Sequence, residues 1–335
     1  MKIEISFARQ LALSGLGALG YDRAESAMIA GHLLDCDLRG LGFSGIARVL
    51  SIAERHTALP RPRRPISTLR ESPVSARIDG GDAVGYLVAE RATDMAIAKA
   101  NASGIAIIGA SDTWYTGMLS YYAERIVGHG LVTMIASNAS PWVAPQGGAE
   151  GRYGTNPICF GFPSTSDPVI WDIGTSAIIY AQVVEALRLG KALPEGLAID
   201  GAGALTTDPE AALSGAFMAW GGHKGSGLGL VVQMLGMLAG SPIMPGHLQD
   251  FGFLVIAVRP DILVDPDIFR QQIADYADAV RNTRPLDGGP PVRMPFDRSR
   301  ADRARRLADG HIDVPPAIIE ALQALAQDFK KDPEL

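Results

Sequence analysis

The chain has 335 residues, 47% of them hydrophobic and 20% charged, which suits about two globular domains that need no disulfide or metal staple. A net charge of −6 gives a nucleic-acid partner no electrostatic support, and two cysteines, Cys36 and Cys159, make no disulfide framework and fit a reducing compartment, the cytoplasm. The longest apolar run, Leu228–Leu238, is broken by Gly229, Gln233 and Gly236 and falls short of the ~20 residues that span a membrane, so a soluble protein without a targeting segment is expected.

In chain order, residues 6–60 read as helical. Asp22 with Glu25 predicts an N-cap and capping box, and Ile29, Leu33, Leu34 and Leu38 follow at helical spacing. Gly40, Gly42 and Gly45 then turn the chain, and the Pro/Arg-rich residues 58–66 read as a linker. The middle section alternates short β-rich runs with helices. The expected strands are Val74–Ile78, Ile105–Ile108, Val132–Ala136, Ile158–Phe162, Val169–Trp171 and Phe253–Val258. The expected helices are Val84–Ala100, Met118–Val127, Ser176–Leu189 and about Gly227–Leu238. This order implies an α/β architecture with a mixed or mostly parallel sheet. Residues 267–335 read as helix, Gly/Pro-rich loop (Asp287–Pro291) and helix.

Gly15-Leu-Gly17-Ala-Leu-Gly20 fits the dinucleotide fingerprint in letters only. That fingerprint needs a strand before it and a helix after it, whereas here a helix-like stretch precedes the glycines and a helix stop follows, so they are read as a mobile helix end. Gly221-Gly222-His223-Lys224-Gly225-Ser226-Gly227 opens an apolar helix. Its amides, the positive helix end and the Lys224 charge suit phosphate groups; a glycine turn with a solvated lysine is the plain alternative. Trp171-Asp172-Ile173-Gly174-Thr175-Ser176 is a strand end leading into a helix. Thr175 or Ser176 would cap that helix, and Asp172 could accept a ribose hydroxyl or orient a proton donor. Gly154-Thr155-Asn156-Pro157 is turn chemistry whose hydroxyl could also meet a substrate carboxylate. The six histidines show no metal-ligand spacing, so no metal is expected, and no nucleophile elbow points to acyl transfer.

These segments together resemble the malate/L-lactate dehydrogenase family that lacks the ordinary Rossmann fold. The resemblance runs through Asp37-Leu-Arg-Gly40, Gly45-Ile-Ala-Arg48, Gly154-Thr-Asn-Pro157, Asp172 to Ser176, Thr206-Thr-Asp-Pro209 and Gly221-Gly-His-Lys-Gly225. It implies a homodimer with a mixed-sheet α/β fold and helical N- and C-terminal segments. Residues 1–65 would pack with 260–335, around a central cofactor-binding domain of 66–259. It implies NADH or NADPH held by Asp172, Gly174, Thr175, Ser176, His223, Lys224 and Gly225, with Phe296 in a weaker match near the cofactor. Arg48 would clamp the carboxylate of a small-molecule substrate, which suits the paired donors of a guanidinium, and Thr155 would assist.

Two departures stand out. The family usually has Ser-His-Gly before that arginine, and here Ser44 takes the histidine's place. A second histidine, in an Asn-x-x-His-Phe pattern, falls around Thr113-Trp114, where none is present. Reducing a ketone makes an alkoxide that needs a proton. Three readings stay open: Tyr115, or Asp172 through water, supplies the proton to a 2-oxo acid; the substrate is a cyclic imine that arrives protonated; or binding persists without ordinary turnover.

Overall fold

The computed structural model describes residues 1–331; residues 332–335, the end of the expected C-terminal segment, lie outside them. The chain begins with β1 (Lys2–Glu4), α1 (Ile5–Ala18), α2 (Arg23–Leu38) and α3 (Arg48–Ala58). It continues through β2 (Ser67–Ser72), β3 (Ser75–Val84), α4 (Gly85–Ser103), β4 (Ile105–Trp114), α5 (Leu119–Gly128), β5 (Val132–Ser137), β6 (Ile158–Phe162) and β7 (Val169–Ile173). Then come α6 (Tyr180–Arg188), β8 (Ala198–Ile199), β9 (Leu205–Thr206), α7 (Pro209–Ser214), β10 (Ala216–Phe217), α8 (His223–Leu238) and β11 (Phe251–Val258). The chain closes with α9 (Pro266–Arg281), α10 (Asp297–Asp309), β12 (His311–Asp313) and α11 (Pro316–Lys331). Two compact units result: residues 1–62, 188–190 and the described residues from 299 onward form the first, and residues 63–187 and 191–298 the second.

In the first unit, β1 pairs antiparallel with β12, and α1 packs on α2 and α11. The capping box at Asp22 is present: its carboxylate accepts from Ala24 and Glu25 N–H, and the Glu25 carboxylate accepts from Asp22 N–H. Gly15 and Gly17 lie inside α1, and Gly15 faces Val49. Close helix packing accounts for Gly15, whereas Gly17 and Gly20 meet nothing within 4 Å and Gly20, at φ +81°, lies just past the end of α1.

The second unit holds a seven-stranded sheet in the order β2-β3-β4-β11-β5-β6-β7. Only β3 and β4 run parallel; the other neighbours are antiparallel, so the expected alternative of a mostly parallel sheet gives way to a mixed one. Period-2 alternation divides its two faces. Ile135, Cys159, Ile170 and Phe253 turn toward the core shared with α4 and α5, whereas Ala136, Ile158 and Ile173 turn toward Val232 and Leu228 of α8. A smaller sheet, β10-β8-β9, was not expected from its short strands. The helix expected from Ser176 starts only at Tyr180, so neither Thr175 nor Ser176 caps it. Their backbone is drawn instead into a pairing described next.

Candidate functional site

Three segments far apart in the chain meet around residue 175. Thr175 N–H donates to Thr155 O at 3.0 Å, and its hydroxyl donates to Asn156 O at 3.1 Å. On the other side Trp220 N–H donates to Thr175 O at 2.9 Å, Ala177 N–H to Met218 O at 2.8 Å, and Ser176 bridges Ala219. The pairing leads directly into Gly221 and α8. Asn156, buried and at φ +36°, ties the 154–157 turn to α8 by donating to Gly229 O at 2.9 Å and Gln233 Oε1 at 3.0 Å. Thr155, Gly174, Thr175, Ser176, His223, Lys224 and Gly225 are thereby gathered into one cradle.

The cradle's chemistry is that of a donor set. Gly221 and Gly222 both take positive φ (+60° and +62°), a turn that L side chains resist, and no side chain caps α8 at Gly222. Gly225 is required for a different reason: a Cβ there would lie 1.7 Å from Trp220 O. His223 and Lys224 are exposed, and Lys224 has no ion-pair or hydrogen-bond partner among the described residues. The Ser176 hydroxyl is buried and also lacks a partner. An orphaned hydroxyl, uncapped helix amides and an unpaired cation, with no carboxylate committed to them, fit the phosphates and sugar of a dinucleotide.

Asp172 and Phe296 stand apart from that set. Strand alternation turns Asp172 to the same side as Ile170, where its carboxylate accepts from Ser120 N–H at 2.7 Å at the start of α5. Burial pushes its carboxyl up, and hydrogen bonds from Ser120 and Leu119 pull it partly back. Phe296, at φ +76°, packs on the core under α4 and α5. Tyr115, at φ +52°, is nearly buried and edge-on to Trp114. Its neighbours anchor the turn: Thr116 donates to Ser137 Oγ at 2.9 Å and Tyr122 to Thr116 O at 2.9 Å.

In the first unit, Ser44 ends a short 3₁₀ turn and is half-buried. Asp37 holds the next turn by accepting from Ile46 N–H at 2.8 Å. A Cβ at residue 45 would lie 2.0 Å from the Asp37 carboxylate, so the Asp37 and Gly45 motifs are two halves of one contact. Arg48 opens α3, is 5% exposed, and donates to Ser51 Oγ at 3.0 Å. Ser51 also accepts from Arg188 at 2.8 Å, and Arg188 pairs with Glu54 at 2.7 Å. Asp37 was marked only as part of a family motif, with no role, and nothing in the local spacing marks Ser51. No cluster of metal-ligating side chains occurs among the described residues, and no helix among them is long and apolar enough to cross a membrane.

A mixed, largely antiparallel sheet, with the Gly15–Gly20 run on and beyond α1 and not between a strand and a helix, sets the fold outside the Rossmann type. Residues 3–323 match the family described as malate/L-lactate dehydrogenase, and the chain belongs to that family. It is 33% identical to the L-sulfolactate dehydrogenase of Methanothermobacter thermautotrophicus, over 94% of this chain and 93% of that one. It is 31% identical to a ureidoglycolate dehydrogenase (NAD(+)) of Escherichia coli O157:H7, over 88% and 87%. It is 30% identical to a (2R)-3-sulfolactate dehydrogenase (NADP(+)) of Chromohalobacter salexigens, over 97% and 98%. Among solved structures, a dehydrogenase from Sinorhizobium meliloti superposes with a TM-score of 0.89 at 31% identity, covering 97% of this chain and 98% of that one. The delta1-piperideine-2-carboxylate reductase of Pseudomonas syringae pvar. tomato superposes at 0.80 and 27%, covering 97% and 99%. The chain is an NAD(P)-dependent oxidoreductase.

Proposed function

We propose that the protein transfers a hydride between NADH or NADPH and the C2 carbon of a small 2-oxo or 2-hydroxy acid. The donor-only cradle of Ser176, the α8 start and Lys224 carries this reading. A bound nicotinamide supplies the hydride. Lys224, with the amides of His223 and Gly225, holds phosphate, while Gly174 and Thr175 keep the backbone close and Ser176 offers its hydroxyl. For the substrate, Arg48 of the first unit is assigned to the carboxylate and Ser44 to the reacting carbon, and Thr155 of the second unit is assigned an assisting hydroxyl. Asp172 is given a positioning role through α5 in place of a direct one, and Phe296 a supporting role in the core.

Loss of both family imidazoles, at Ser44 and at Thr113-Trp114, favours one second reading: reduction of a cyclic imino acid, which brings its own proton. The test is an absorbance assay at 340 nm with both cofactors, pitting pyruvate-like and larger 2-oxo acids against pyrroline- and piperideine-2-carboxylate. Turnover of the oxo acids supports the first reading, and turnover of imines alone decides for the second. Binding without turnover leaves only the cradle. Lys224→Ala should weaken cofactor binding about 10- to 100-fold by calorimetry. An unchanged dissociation constant would remove Lys224 from the cradle.

We further infer a homodimer. The outer face of α8 exposes Leu230, Val231, Met234 and Leu238, and Ile243 and Met244 follow it exposed, a larger apolar surface than scattered single residues make. Light scattering should give twice the 35.4 kDa chain mass, and Met234→Glu should shift it toward one; a monomeric wild type would refute the dimer. Cys36 and Cys159 are buried thiols that form no disulfide, which supports a reducing compartment, the cytoplasm.

A further inference from the structure

The loop between α8 and β11 is strained where it presents a histidine. Leu248 and Asp250 both take left-handed backbone, at φ +50° and +60°, a conformation that costs a non-glycine residue roughly 1–3 kcal/mol and persists only when neighbours enforce it. Ser140 holds the first of them: its buried hydroxyl donates to Gly246 O at 2.7 Å and accepts from Leu248 N–H at 2.9 Å. His247 sits between those two clamped residues and is exposed.

Its ring is not adrift in solvent. It stands edge-on to Trp142 at 6.0 Å and to Tyr180 at 6.3 Å, and those two rings are stacked on each other at 4.2 Å. Tyr180 also faces Tyr115, 6.4 Å away. One ring therefore separates His247 from the turn where the family's second histidine would fall. The same two supports run into the cradle: Trp142 O accepts from Phe217 N–H at 2.7 Å just before the 218–220 pairing, and Tyr180 follows the Thr175 segment.

We propose that His247 is the proton donor to the substrate oxygen during reduction, and the acceptor during oxidation, in place of the imidazoles absent around Ser44 and Thr113. The inference rests on the oxo-acid reading above. The step balances. The oxo carbon gains a hydride from the reduced nicotinamide, the π pair of the C=O bond moves onto oxygen, and that oxygen takes the N–H proton of the imidazolium. The neutral imidazole regains a proton from water at its exposed edge. Each turnover oxidises one NAD(P)H to NAD(P)⁺ and consumes one proton.

Partial desolvation against the rings holds the His247 imidazole below its ordinary value of 6.5 although one edge stays exposed, which makes its cation a stronger acid. The groups around it are the phenol of Tyr180, the indole of Trp142 and, in its own loop, Asp250, which faces Asp112 of β4. The rate of reduction should fall as pH rises through a value below 6.5, because only the cation can donate.

The experiment compares wild type with His247→Gln and His247→Asn. For 2-oxo acids kcat should drop about 100-fold or more while KM and cofactor affinity stay within about twofold, and the limb below pH 6.5 should vanish. Any reduction of cyclic imines should be untouched. The second readout is the His247 ring resonance by NMR, assigned by its loss in the variant. In the NADH-saturated protein its titration should move upward on addition of oxamate, an inert 2-oxo acid analogue whose negative charge favours the cation. An active wild type whose variants keep kcat and the acidic limb, or a ring titration blind to oxamate, overturns the role of His247 alone. A wild type inactive on every oxo acid overturns the oxo-acid reading and this role with it.

Discussion

Arg48→Ala is expected to raise KM for the proposed oxo acid by about two to three orders of magnitude and to leave cofactor affinity within about twofold. A guanidinium grips a carboxylate through two parallel charge-assisted bonds, and stripping one partner from a desolvated pair costs roughly 3–5 kcal/mol. Arg48 suits that role because it is 5% exposed and its fork is oriented by the Ser51 hydroxyl. The same hydroxyl takes a bond from Arg188, whose charge is met by Glu54, so Arg188 steadies the anchor. Arg48→Lys keeps the charge and loses the planar fork, so it should recover only a small part of the loss. Alanine is a good helix former at this first position of α3, so the fold should persist, which circular dichroism checks. An unchanged KM, or an equal loss of substrate and cofactor affinity, would remove Arg48 from the carboxylate clamp.

The legible parts of this chain are those whose cause is local. Asp22 and Glu25 lie within one helical turn of each other, and the capping box they predict is there. The bounds of β6 match the expected Ile158–Phe162, because a short apolar run between turns has one reading in a central sheet. The glycines and hydroxyls of 174–176 and 221–225 are visible in sequence as turn or ligand-binding candidates, but their meeting depends on Trp220 pairing with Thr175, a contact no local pattern encodes. That pairing also defeats the helix expected from Ser176, since a backbone engaged with residues 218–220 cannot start a helix. Asp172 was misdirected for a different reason. Once β7 is known to run through Ile173, alternation puts Asp172 beside Ile170 on the α5 side. His247 carries no signal at all in sequence, because its presentation depends on a left-handed Leu248 held from Ser140.

Acid should destabilise the first unit before it reaches the ordinary carboxylate range, with His32 as the cause. This residue of α2 is 1% exposed, and burial holds its imidazole down from 6.5 to about 3, against the upward pull of Asp35. The sign follows from proton counting: below pH 6.5 the unfolded chain binds a proton on His32 that the folded chain refuses until about pH 3. Stability from this group is therefore level above pH 6.5 and falls as pH drops, by roughly 1.4 kcal/mol per pH unit once well below 6.5. Between pH 7 and 4.5 that amounts to about 2–3 kcal/mol, a large share of a typical 5–15 kcal/mol. Asp172 works in the opposite sense. Its carboxyl is raised in the folded state, so protonation favours folding there as pH falls. Urea unfolding of wild type and His32→Gln from pH 7.5 to 4.5, with hydrogen exchange followed in α1, α2 and α3, separates the two. Wild type should lose stability over that range with exchange rising first in those helices, and the variant should lose about 2 kcal/mol less. Parallel stability curves for the two proteins would show that His32 is not the acid-sensitive group.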